Sequence, residues 1–163
     1  MMERTKLTHP IDPVFDENSR VLILGSFPSV KSREAGFFYG HPQNRFWKVA
    51  AAVMGDEVPQ TIPEKKAFLL RNHIALWDVI GECSICGSSD TSIRDAEPND
   101  LGRILKASGL SRIFVNGRTA EKVYERYTEK AVGIRAVCLP STSPANAAWD
   151  LERLKEAWKV IKE

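Results

Sequence analysis

The chain has 163 residues, 43% of them hydrophobic and 27% charged, with a formal net charge of +2. That suits a single domain, 1–163, able to bury a core, and a charge so near neutral permits nucleic-acid contact without arguing for it. No apolar run approaches the ~18 residues of a membrane span and no hydrophobic leader follows Met1, so the expected setting is the cytoplasm, with no membrane contact.

Residues 1–18 are polar, carry Pro10 and Pro13, and read as an N-terminal arm. Val21-Leu22-Ile23-Leu24 is a short apolar strand, and the Pro-stiffened loop Gly25-Ser26-Phe27-Pro28-Ser29 follows it. Residues 45–54 form a helix, with Asn44 as a candidate N-cap and Gly55 as its stop. A second helix spans 63–71, with Pro63 in a favoured first-turn position. Residues 73–80 read as a strand. Residues 81–97, rich in Gly, Ser, Cys and Asp, read as a long loop, a feature that is often functional. A helix follows at 99–107, then a strand at 112–115 ending on Asn116-Gly117, a helix at 118–127 and a last strand at 134–139. Leu151, Leu154, Trp158 and Ile161 form one apolar stripe on the final helix.

This alternation predicts a three-layer α/β/α domain around a mainly parallel, four-stranded sheet. The loops at 25–29 and 139–146 both follow strands and precede helices, so both open at the carboxyl edge, where ligands bind. Cys83 and Cys86 have metal-ligand spacing, but a zinc site needs four ligands and only Cys138 and three histidines remain as partners. They read as reduced thiols, with no metal and no cofactor.

Gly36-Phe37-Phe38-Tyr39-Gly40-His41-Pro42-Gln43-Asn44-Arg45-Phe46-Trp47 and Pro140-Ser141-Thr142-Ser143-Pro144-Ala145-Asn146 carry a resemblance. The first stretch, taken from Gly25 to Val49, resembles the pattern G-I-N-P-G…G-F-x-F-x-H-P-x-N-R-F-W-K of the mismatch-specific enzymes in the uracil-DNA glycosylase superfamily. The second falls where those enzymes have P-N-P-S-G-L-S. The chain departs from them at Phe27, where they have a water-positioning Asn, and at Ala145, where they have a wedge Leu. Together with Leu-Trp-Asp-Val-Ile and Ser-Ile-Arg-Asp, the motifs are more similar to the hypoxanthine-DNA (deoxyinosine) glycosylase branch, which lacks the first-loop Asn.

The resemblance implies a monofunctional enzyme that flips a deaminated base out of DNA and hydrolyses its glycosidic bond. Asn44 would position the water, unless it only caps its helix. Tyr39 stands in place of a base-stacking Phe, unless it is an ordinary buried aromatic, and Phe27 would either wall the pocket or belong to the core. Asn116 resembles a strand-end Asn that reads a base edge, although a turn former before Gly117 needs no such role. Asp78, at a strand end, could bond the base or cap a turn. Ser26, Pro28, Ser29 and Ser32 would touch DNA in the first loop. Ser141, Thr142, Ser143, Pro144, Ala145 and Asn146 would do so in the closing loop, where hydroxyls before a helix suit either phosphate or capping. Ser92, Arg94 and Asp95 could close the pocket. The implied partner is DNA containing a deaminated base, bound by a monomer. Uracil, thymine or xanthine are alternative bases, and a non-catalytic nucleic-acid-binding relative is the alternative of another class.

Overall fold

The computed structural model describes residues 5–28, 30–85 and 94–163, so Ser29, Cys86 and Ser92 lie outside the described residues. Two strands, apolar apart from the terminal Asp78, build the centre: β2 (Val21–Gly25) and β3 (Ile74–Asp78) are buried along their whole length, as strands covered on both faces must be. They run parallel with β6 (Arg112–Asn116) and β7 (Ala136–Leu139) in the order β3-β2-β6-β7. Gly25 pairs with Asp78, Leu24 with Val115 and Asn116 with Leu139. Asp78, Gly25, Asn116 and Leu139 therefore stand in one row across the carboxyl edge. Helices cover both faces, giving the expected three-layer α/β/α fold.

Local chemistry explains the helix bounds. α2 (Phe46–Met54) ends on Gly55, whose φ of 68° needs a residue without Cβ and whose N–H reaches the Ala51 and Ala52 carbonyls. α3 (Ile62–Arg71) opens with a capping box: Thr61 Oγ1 accepts the Glu64 N–H, and its hydroxyl donates to the Glu64 carboxylate. α4 (Gly102–Ser108), α5 (Arg118–Tyr127) and α6 (Glu129–Val132) follow. α7 (Leu151–Trp158) opens on Asp150, which accepts the Arg153 N–H at 2.9 Å. Its stripe buries Leu154, Trp158 and, in the next turn, Ile161. Trp158 meets Phe46 of α2 edge-on at 5.8 Å, and its indole N–H donates to the Pro140 carbonyl at 2.9 Å. The helix behind the closing loop is thereby locked to the strand before it.

Several expectations need correction. Residues 81–97 are not a structureless loop: β4 (Ile80–Ile85) and β5 (Arg94–Pro98) form an antiparallel sheet with β1 (Thr5–Thr8), in the order β1-β4-β5. These strands are polar and small, so they show none of the apolar alternation by which a strand is recognised. The expected strand at 73–80 breaks after Asp78, where the Val79 and Ile80 N–H groups turn to the Gly25 and Ser26 carbonyls. The Asn99 amide spans the break, donating to the Asp78 and Ile80 carbonyls at 2.9 and 3.3 Å.

The described part of the N-terminal arm packs on the central sheet. Beyond β1, Val14 exchanges both backbone hydrogen bonds with Leu76, and the Trp77 indole donates to the Ile11 carbonyl. A short helix that the sequence reading did not assign, α1 (Val30–Ala35), follows the first loop. Among the described residues no helix is long and apolar enough to cross a membrane.

Candidate active site

The row at the carboxyl edge leads into a chain of side-chain hydrogen bonds. Asn116, at the end of β6, receives the Thr142 N–H on Oδ1 at 3.1 Å and donates from Nδ2 to Thr142 Oγ1 at 3.0 Å. Thr142 Oγ1 is thus an acceptor on that side, and its own proton goes to Asn44 Oδ1 at 2.9 Å. The same Asn44 oxygen accepts the Phe46 N–H at 2.9 Å. Two donors fix which end of the amide is oxygen and fill both of its lone pairs. Nδ2 is left as the uncommitted end of the group, and among the described residues it makes no hydrogen bond. Asn44 therefore does serve the start of α2, through Phe46, although the residue directly before the helix is Arg45.

Tyr39 stands beside this chain. Its ring stacks on Phe46 at 4.2 Å with an interplanar angle of 19°, so one face is covered, and the residue is only half-buried. Its φ of 51° is left-handed, an uncommon state for a bulky side chain and one that concentrates at functional sites. Ser32 holds this turn by accepting the Gly40 N–H at 3.0 Å. The phenol oxygen points inward and is buried. Burial raises its pKa above the ordinary phenol range, the Asp78 carboxylate raises it further, and the Asn116 amide opposes the rise without forming a hydrogen bond to it. A buried hydroxyl without a partner costs about 1–3 kcal/mol. Tyr39→Phe is therefore expected to unfold at equal or higher denaturant than the parent, which a urea melt checks.

Asp78 and Tyr39 meet over Gly25. A Cβ on Gly25 would overlap Asp78 Oδ1 and would lie 3.4 Å from the phenol oxygen. Only glycine lets the carboxylate approach the neighbouring strand so closely. Gly25→Ala is expected to push Asp78 aside, costing about 1–3 kcal/mol of stability; a thermal melt measures the loss. Asp78 is also bonded to a residue that the sequence did not mark as part of a site. His9, just beyond β1, donates from Nε2 to Asp78 Oδ2 at 2.8 Å, with both side chains almost fully buried. Phe27 is buried, with its ring edge-on to His9 at 5.8 Å.

The closing loop is held from α2. The Arg45 N–H donates to the Thr142 carbonyl at 3.1 Å, Nη2 donates to the Ser143 and Asn146 carbonyls at 2.9 and 3.2 Å, and Nη1 donates to the Trp149 carbonyl. The loop also folds on itself: Ser141 Oγ accepts the Ser143 N–H, Ser143 Oγ accepts the Ala145 N–H, and the Asn146 amide donates to the Ser141 carbonyl. Pro144 and Ala145 are left exposed at the tip. A groove of about 650 Å³ runs beside the tip, with Arg118, Ser143, Asn146 and Trp149 among its walls.

Ser26, Pro28, Ser32 and Thr142 are buried, and the Thr142 hydroxyl serves the chain to Asn44. The sequence also missed His9 and Arg45, whose roles depend on partners 69 and about 100 residues away. The signal for Arg45 was its place beside Asn44 in a dense motif; for His9 there was none. Among the described residues no group of three or more His, Cys, Asp or Glu side chains could hold a metal ion.

Comparisons with known proteins agree with this geometry. The sequence profile of the Uracil DNA glycosylase superfamily matches residues 13–163. A protein named hypoxanthine DNA glycosylase from Methanosarcina acetivorans is 37% identical over 150 residues, covering 91% of this chain and 93% of its own. A protein of the same name from Methanosarcina barkeri is 36% identical over 149 residues, covering 90% and 92%. The solution NMR structure of a candidate uracil DNA glycosylase from Methanosarcina acetivorans superposes with a TM-score of 0.81 at 34% identity, covering 97% of this chain and 98% of that one.

Proposed function

The chain belongs to the uracil-DNA glycosylase superfamily, and from that premise we propose that it is a monofunctional glycosylase releasing hypoxanthine from deoxyinosine and leaving an abasic site. The observation that carries this reading is the position of Asn44, fixed by two donors to its oxygen with its amide N–H groups unspent. The relatives named as hypoxanthine DNA glycosylases, at 36 and 37% identity over most of both chains, favour hypoxanthine over other deaminated bases.

In this reading the nucleotide leaves the duplex and its base lies on the face of Tyr39 opposite Phe46. Stacking of a base on an aromatic ring is worth about 1–3 kcal/mol. Asp78 and the remaining capacity of Asn116 meet the base edge, and the buried Phe27 supports that wall from behind. Pro144 and Ala145 press against the DNA, while Ser141, Ser143 and Asn146 keep the loop in shape. The bond to the sugar breaks toward an oxocarbenium-like cation, which neutral water can capture. Asn44 Nδ2 holds the oxygen of that water beside C1′, so no strong base is required. Placing the water in advance lowers the barrier because the enzyme does not reorganise as charge develops.

A single-turnover assay tests the reading with strands carrying deoxyinosine, deoxyuridine, deoxyxanthosine or an undamaged base, paired and unpaired, and alkali to reveal abasic sites. Release mainly from deoxyinosine is expected. Release mainly from deoxyuridine would assign the chain to mismatch uracil repair instead. DNA binding without release from any substrate would make it a non-catalytic relative.

A further inference from the structure

The His9–Asp78 pair is unusually well defined. His9 Nδ1 accepts the Ile11 N–H at 3.2 Å, so the ring proton sits on Nε2 and is donated to Asp78 Oδ2 at 2.8 Å. Phe27, Phe38 and Trp77 surround the imidazole at 5.8, 6.1 and 6.2 Å between ring centroids. The ring has no room to turn, and the two side chains retain 3% and 6% of their surface. One carboxylate oxygen is therefore occupied. The other, Oδ1, lies over Gly25 beside the Tyr39 phenol, and among the described residues it receives no hydrogen bond. Its place in the row with Asn116 directs it at the base site.

We propose that His9 is a positioning residue that pins Asp78 so that Oδ1 accepts the lactam N–H of the flipped base, which makes the site a reader of deamination itself. This rests on the reading of the carboxyl edge as a base pocket. Adenine and cytosine carry a ring-nitrogen lone pair beside their exocyclic amine. Hydrolytic deamination replaces the amine by a carbonyl and puts a proton on that nitrogen, at N1 of hypoxanthine or N3 of uracil. A pinned acceptor attracts the deaminated base and repels the lone pair of its parent. Guanine and thymine also carry a lactam N–H, so other walls must reject them. Recognition built on a buried polar group discriminates strongly because the wrong partner leaves that group unpaired.

Asp78→Asn is the sharp test. The His9 N–H would hold the amide oxygen on its own side, so the amide NH₂ would take the place of Oδ1 and present a donor. The measurement is the affinity for duplexes carrying non-cleavable 2′-fluoro nucleotides, taken as the ratio of inosine to adenosine and, in parallel, of uridine to cytidine. D78N is expected to lower the ratio at least about tenfold, in the range of one lost direct base contact. H9A frees the carboxylate and should move the ratio the same way, while H9Q, which keeps a donor, should restore it.

A D78N ratio equal to wild type, or equal weakening of both members of each pair in H9A, would overturn the proposal and leave His9 as packing. Because binding is measured without turnover, a protein that releases no base can still pass or fail this test. A wild type whose uridine ratio far exceeds its inosine ratio would replace hypoxanthine in the functional reading and leave Asp78 to be judged on the pyrimidine pair.

Discussion

Asn44→Ala is expected to lower the single-turnover release of the damaged base by about 10²–10³-fold, the loss seen when one preorganised donor is removed from a transition state. Affinity for DNA should stay near the parent value, because Asn44 is half-buried behind the loops and not on the exposed tip. The structural cost is separable. The alanine loses an acceptor for the Phe46 N–H, an effect of about 0.5–2 kcal/mol at a helix start, and a thermal melt records it. Thr142→Val gives the second arm: it keeps the shape, removes the hydroxyl that donates to Asn44 and leaves Asn116 Nδ2 without its acceptor. If the chain from Asn116 through Thr142 to Asn44 acts as a unit, the double variant should be little slower than Asn44→Ala alone. Full activity in Asn44→Ala would reduce the residue to a helix-start acceptor, and fully additive losses would break the unit.

The apolar layers of this fold are legible in the sequence, and its polar cross-links are not. Val21–Gly25 is continuous aliphatic sequence between turn signals and could be little else than a buried strand. Gly55, Pro63 and the Leu154–Trp158 stripe likewise announce their elements. Polar edge strands leave no such mark, so β4 and β5 passed for a loop and β1 for part of an arm. The site divides in the same way. Asn44, Tyr39, Asn116 and Asp78 lie at element ends where the topology itself points, and the structure brings all four to one edge. What sequence spacing could not supply was the direction of each bond. Asn116 is committed to Thr142, Ser32 to the Tyr39 turn, and His9 crosses 69 residues to reach Asp78. Long-range hydrogen bonds carry no periodicity, so no pattern along the chain reveals them.

Arg45→Ala should do what Asn44→Ala does not: abolish productive DNA binding together with excision. The guanidinium donates to the carbonyls of Ser143, Asn146 and Trp149, and so ties both sides of the loop tip to the start of α2. Without it Thr142 stays tied to Asn116 and Asn44, but the tip beyond it keeps only short serine and asparagine links, which water can replace. Three carbonyls lose a charged donor in the variant, each such bond being worth about 1.5–3 kcal/mol while made. They lie near the surface, so solvent satisfies them once the loop opens, and the melting temperature should fall less than that sum implies. The loss appears instead as a disordered tip, with Pro144 and Ala145 no longer presented to DNA. Arg45→Lys should behave nearly as badly, because an ammonium is a point charge without the planar fork that spans separated acceptors. The decisive comparison is single-turnover excision at saturating enzyme. If excess protein restores the parent rate, Arg45 serves docking alone. If the rate stays more than tenfold down, the clamp also sets the geometry of the Thr142–Asn44 bond; unchanged affinity and rate would show that the loop holds its shape without it.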